Sequence, residues 1–154
     1  MELYNPLAVP VNLSGMGLSD SPDSPHRFVF PEGSVIAGGG YAVFECDPGR
    51  PASATNTGFG LKASGDALYL HDARARGGAL LDGIVFGLQA PDLALSRNPL
   101  AHAAWSPSEP TPGAVNRPLA TGMARTAVRG LARPTRISVG ELSEESAIAA
   151  SLHS

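Results

Sequence analysis

An all-β fold of two packed sheets is the class this sequence predicts, and three observations predict it. Residues 67–71 alternate, with Leu68 and Leu70 on one side and Ala67, Tyr69 and His71 on the other. That period of two marks a half-buried strand. Residues 80–86 return as a second run rich in branched and aromatic side chains, across a glycine-bearing turn over 74–78; the pair reads as a β-hairpin. The chain also carries 18 Gly and 14 Pro in 154 residues, with short apolar runs between them. Frequent turns between short strands suit a sandwich. The 43% hydrophobic content excludes general disorder.

The elements follow in order. Glu2 to Tyr4 reads as a strand that Asn5-Pro6 stops. Residues 9–20 read as one strand bent at Ser14-Gly15, where a glycine permits a kink. Residues 19–25 cluster Ser, Asp and Pro, a turn. Arg27 to Phe30 is a short strand, Val35-Ile36 is too short to place, and Gly38-Gly39-Gly40 forces a turn. Residues 41–46 are apolar on both parities apart from Glu45, as in a central strand buried on both faces. Residues 47–57 lack periodicity and are expected to be exposed and mobile. After the hairpin, Leu93 and Leu95 stand at strand spacing, and 101–106 offers a last strand around Trp105. Three prolines between 107 and 112 should end regular structure. No helix of ordinary length is expected before Asn116. Residues 117–154 lose aromatics and read as a largely irregular tail; within it, 144–152 has only weak helical character behind Ser143 as a cap.

A net charge of −3 describes an ordinary solvated surface, so a nucleic-acid partner is not expected. The one basic concentration is Arg117, Arg125, Arg129, Arg133 and Arg136. Cys46, the single cysteine, excludes an internal disulfide and reads as a small buried hydrophobe. No membrane-length apolar run is present. The four histidines are His26, His71, His102 and His153, and no nucleophile elbow accompanies them; His71-Asp72 reads as an exposed pair at a strand end. Asp20, Asp23 and Ser24 share one loop that could offer oxygens to calcium, but turn propensity explains them equally. Asp82 shares parity with Leu80, Ile84 and Phe86. Either that face is not the core, or a bulge turns Asp82 outward, or its carboxylate is buried and hydrogen-bonded; a structural role is favoured.

Several pieces recur in a familiar order. They are Glu2-Leu-Tyr-Asn-Pro6, Val11-Asn-Leu-Ser-Gly15, Leu18-Ser-Asp20, Phe28-Val-Phe-Pro-Glu-Gly33 and Ile36-Ala-Gly-Gly-Gly-Tyr41. Phe59-Gly-Leu-Lys-Ala-Ser-Gly-Asp66, Asp82-Gly-Ile-Val-Phe86, Ser96-Arg97 and Thr111-Pro-Gly-Ala-Val-Asn116 complete the set. Over residues 1–116 the chain resembles the lamin tail domain, in its bacterial branch. The resemblance implies an immunoglobulin-like β-sandwich over 1–116, with 117–154 as a linker or the start of a second repeat. It departs from the family at the front, where a first strand is missing before Glu2, and at Met16, where an aromatic is common.

The family's roles imply a non-catalytic interaction or attachment module of a larger bacterial cell-surface or secreted protein. The alternatives are an ancillary targeting domain of a secreted nuclease or phosphoesterase, and a lamin-like role in nuclear architecture. On this reading no catalytic, cofactor-binding or metal-ligating residue is assigned and no cofactor is expected. The partner is a protein or cell-envelope component of unknown identity, met outside the cell or at its surface. The open neighbour position beside Glu2 to Tyr4 invites edge-strand association. Residues 137–142 are the segment expected to fill it, in the same molecule or another.

Overall fold

In the computed structural model, residues 1–98, 101–119 and 149–153 are described. The described residues form twelve short strands in chain order: β1 (Glu2–Tyr4), β2 (Val11–Asn12), β3 (Gly17–Ser19), β4 (Phe28–Val29), β5 (Val35–Ile36), β6 (Tyr41–Val43), β7 (Asp66–His71), β8 (Leu80–Phe86), β9 (Ala94–Asn98), β10 (Ala101–Glu109), β11 (Arg117–Pro118) and β12 (Ala149–His153). One 3-10 turn, Arg74–Arg76, joins β7 to β8. All strand ladders are antiparallel. They assemble as a six-stranded sheet in the order β11-β10-β9-β12-β1-β6, a four-stranded sheet β4-β3-β7-β8, and the pair β2-β5. The protein is an all-β sandwich.

The hairpin reads as expected. Leu68 pairs with Ile84 and Asp66 with Phe86. Leu68, Leu70 and Phe86 are buried, and Ile84 packs against them. From the other layer come Met1 and Leu3, and between the layers lie Leu13, Leu18 and Ile36. Phe28, Phe30 and Phe44 meet here: the Phe28 and Phe30 rings lie edge to face at 5.1 Å, and Phe30 and Phe44 likewise at 5.4 Å, the geometry that ring quadrupoles favour. Phe59 is fully buried beside them.

Residues 9–20 do bend near Ser14-Gly15, and the bend divides two strands in two different sheets. The Leu13 amide donates to Ser34 O and the Gly15 amide to Phe30 O, so the chain crosses from β5's side to β4's. Beyond the bend, Gly17 is pressed against the loop before β4. A Cβ there would come within 2.6 Å of the His26 ring and of Pro25 O.

Several expectations need correction. Residues 41–46 are not a central strand. Their strand, β6, closes one end of the six-stranded sheet, and Val43 is exposed; beyond it lies only an isolated bridge between Glu45 and Asn56. Cys46 there is half-buried rather than enclosed. The loop 47–57 is exposed over residues 48–55, as expected, and is tied together from inside: the buried Asn56 side chain donates to Asp47, Arg50 and Pro51 carbonyls at 3.1 Å each and accepts the Asp47 amide at 3.0 Å. Pro107 does not end its strand. Facing Leu95 in β10, it lacks only its own donor, and its carbonyl accepts the Leu119 amide at 3.0 Å. Lastly, 149–152 belongs to a strand and not to a helix; residues 143–148 and 137–142 lie outside the described residues. The six-stranded sheet therefore reaches past residue 116, through β11 and β12.

Candidate interaction site

Among the polar residues that the sequence singles out, His26, Asp72, Asp20 and Asp82 are held in structural bonds. His71 is buried on the far side of β7 from the core, against the expected exposed pair, because the loop before β4 folds over it. The His26 ring stands 6.0 Å away and its Nε2 lies 2.9 Å from Asp72 O. Burial, and then His26, lower the His71 pKa below its ordinary value. Asp72 turns away and accepts from Arg76 Nε at 2.7 Å, and that bond holds its carboxyl below the usual range. Asp20 is clamped by Arg27 at 2.6 Å, while the Asp23 amide donates to Ser21 Oγ. The carboxylate that would lead a calcium site is thus already matched by a guanidinium. Among the described residues no three His, Cys, Asp or Glu side chains converge.

Asp82 takes the third of its three readings. A bulge does occur, but at Leu81: Leu70 pairs with Asp82 while His71 pairs with Leu80. The extra residue turns Leu80 outward and leaves Asp82 on the core face beside Ile84. Its carboxylate accepts the Gly83 amide at 2.8 Å and the Arg97 guanidinium. Arg97 comes from β9, in the other sheet, so the pair clasps the two layers. The guanidinium lies 4.8 Å over the Trp105 ring, a cation–π contact that places Trp105 in packing. Desolvation raises the Asp82 pKa although Arg97 opposes it. A cavity of about 10 Å³ beside it is lined by Leu3, Leu18, Leu68, Leu70 and Ile84, far below the about 300–1,000 Å³ of small-molecule sites.

The arrangement best suited to recognition lies in the six-stranded sheet. β1 pairs with β6 on one side (Leu3 opposite Ala42) and with β12 on the other (Leu3 opposite Ala150). β12 then pairs with β9 (Leu152 opposite Leu95). The central strand of this sheet is thus the last described segment of the chain. The position beside Glu2 to Tyr4 is filled, not by the expected 137–142, but by residues 149–153. Their Ala and Ser content gives little strand signal, which is why the sequence did not mark them.

Glu2 is the other residue that sequence patterning missed. The residue is 1% exposed, and its carboxylate accepts the Gly113 amide from the loop after β10. Burial raises its pKa; the Gly113 bond pulls it back. Only the alternation could have flagged it, and a three-residue strand is too short for that. Beside it, the Tyr4 and Tyr41 rings stack at 4.7 Å.

Fold and site together define an all-β sandwich whose central strand is supplied from a distance in sequence. No family model, curated protein or solved structure matches the chain.

Proposed function

We propose that the chain is a non-catalytic interaction and attachment module, lamin-tail-like, within a larger bacterial cell-surface or secreted protein. One observation carries the reading: the residues that bear the resemblance are spent on holding the scaffold. Asn5 is fully buried, donates to Val9, Ile36 and Ala37 carbonyls at 2.8, 3.2 and 3.1 Å, and accepts the Leu7 amide at 3.0 Å. Gly38 passes so close to Ala8 that a Cβ would lie 2.3 Å from its carbonyl oxygen. Asp66 closes a turn by accepting the Lys62 amide at 3.0 Å. A motif set of this kind preserves a framework and leaves loops and sheet edges to carry recognition.

The purified chain should turn over no phosphodiester, ester or peptide substrate. Reproducible hydrolysis that disappears in a folded His71→Asn or Asp72→Asn variant overturns the reading. The coding sequence on either side separates two settings of the same module. A catalytic domain in frame makes it ancillary to a hydrolase; further copies make it an attachment array.

A further inference from the structure

The walls of the slot between β1 and β9 carry contacts of their own besides those to the strand that fills it. On one wall, Leu3 is fully buried and Met1 is 6% exposed. The Met1 nitrogen and carbonyl exchange hydrogen bonds with Phe44, each 2.9 Å. On the other wall, Leu95 and Trp105 pack against the core, and Ser96 Oγ donates to Ser108 Oγ at 2.7 Å. The walls are also tied across the slot, since Glu2 accepts the Gly113 amide and Asn116, in the same loop, donates to Arg97 O at 3.0 Å. Removing β12 would therefore open two strand edges that other contacts still position. Unpaired edges of this kind take up extended segments through backbone hydrogen bonds.

The occupant is weakly matched to this position. Its sequence is Ala149-Ala150-Ser151-Leu152-His153, and Ala is depleted in strands while branched residues are favoured. Opposite the fully buried Leu3 stands only Ala150. Between Pro118, the end of β11, and Ala149 lie residues 119–148, which number 148 − 118 = 30. Fully extended, such a connection reaches about 100 Å, at about 3.3 Å per residue, far more than the two strand spacings, about 10 Å, between β1 and β9.

We propose that this slot is an acceptor site for an extended segment of a partner protein, and that Ala149–His153 is an in-chain occupant which that segment displaces. The partner's strand runs antiparallel to both β1 and β9 and carries a branched apolar residue at the register position opposite Leu3. Backbone pairing supplies the hold, and the residue at that position supplies selectivity. The inference rests on the reading of the chain as an interaction module and names the class of partner for it.

The test uses the full chain and a synthetic peptide of residues 147–154 carrying Ala150→Ile. On adding peptide, amide hydrogen exchange should show lost protection at 149–153, with protection kept at Glu2–Tyr4 and Ala94–Asn98. The full chain carrying Ala150→Pro cannot donate the amide at that position. It should bind the same peptide at least about tenfold more tightly, because the competing state is weakened. Three results overturn the proposal: binding that leaves 149–153 protected, equal affinity for both chains, or no binding. The wild-type arm stands even if Ala150→Pro misfolds. Detected hydrolysis would overturn the functional reading alone, and failed displacement the acceptor site alone.

Discussion

Removing the Asp82 carboxylate tests the clasp between the layers. The Asp82 and Arg97 side chains are only 12% and 19% exposed. Breaking one partner of a buried pair costs about 3–5 kcal/mol, because the surviving charge stays desolvated. Arg97 keeps its place over Trp105, 4.8 Å from the ring, and retains some access to water. The cost for Asp82→Ala should therefore fall at the low end, about 3 kcal/mol. Asp82→Asn keeps an acceptor for the Gly83 amide and should cost about 1–3 kcal/mol. Replacing both partners, as Asp82→Leu with Arg97→Met, should return stability to within about 1 kcal/mol of the parent.

Urea unfolding followed by the emission of Trp105, the single tryptophan, reads this directly. With a slope of about 1.5 kcal/mol per molar, the Asp82→Ala midpoint should drop by about 2 M. The pH dependence has a fixed sign. The folded carboxyl holds its proton more tightly than the unfolded one, so its contribution to stability falls as pH rises through the raised pKa and grows on acidification towards the ordinary value. Asp82→Asn should remove that slope. An unchanged midpoint for Asp82→Ala, or single and double variants that add to within about 0.5 kcal/mol, would refute the clasp.

Phe86→Ala should cost about 3–5 kcal/mol, seen as a lowered melting temperature in calorimetry; an unchanged transition would mean that the wrong face of β8 had been taken as the core. Gly17→Ala should force the His26 loop outward at a cost of about 1–3 kcal/mol, and limited proteolysis should then cut within residues 20–27; an unaltered digestion pattern counts against the close approach. His71 should titrate below a free histidine by NMR. Its lowered folded pKa means stability is lost as pH falls from its ordinary value of 6.5 towards the lowered one, and His71→Asn should remove that loss.

The hairpin and the bent strand were legible because alternation over five or more residues leaves little freedom in the choice of face. The double role of Asp82 was half legible. Its parity announced a conflict, but the bulge at Leu81 that resolves it comes from pairing, which a single strand's sequence does not encode. Residues 41–46 misled because an apolar run says that side chains find cover and not which strands flank the backbone. Pro107 misled for the converse reason: proline forbids a donor, and at this point of β10 no donor is needed. The site itself was legible only from one side. Glu2 to Tyr4 advertised an open neighbour position, while Ala149–His153 carries almost no strand propensity and owes its conformation to the two edges it joins.

That placement sets a timetable for assembly. Glu2 pairs with Ser151, a separation of 151 − 2 = 149 positions, whereas Asp66 pairs with Phe86 only 20 positions away (86 − 66). Loop-closure entropy makes distant pairings late, so the four-stranded layer can condense around its hairpin while the other layer is still two fragments. During synthesis the second layer stays open until residues 149–153 have emerged. Over that interval β1 presents a bare edge to any neighbouring polypeptide, and crowding of nascent chains becomes a hazard.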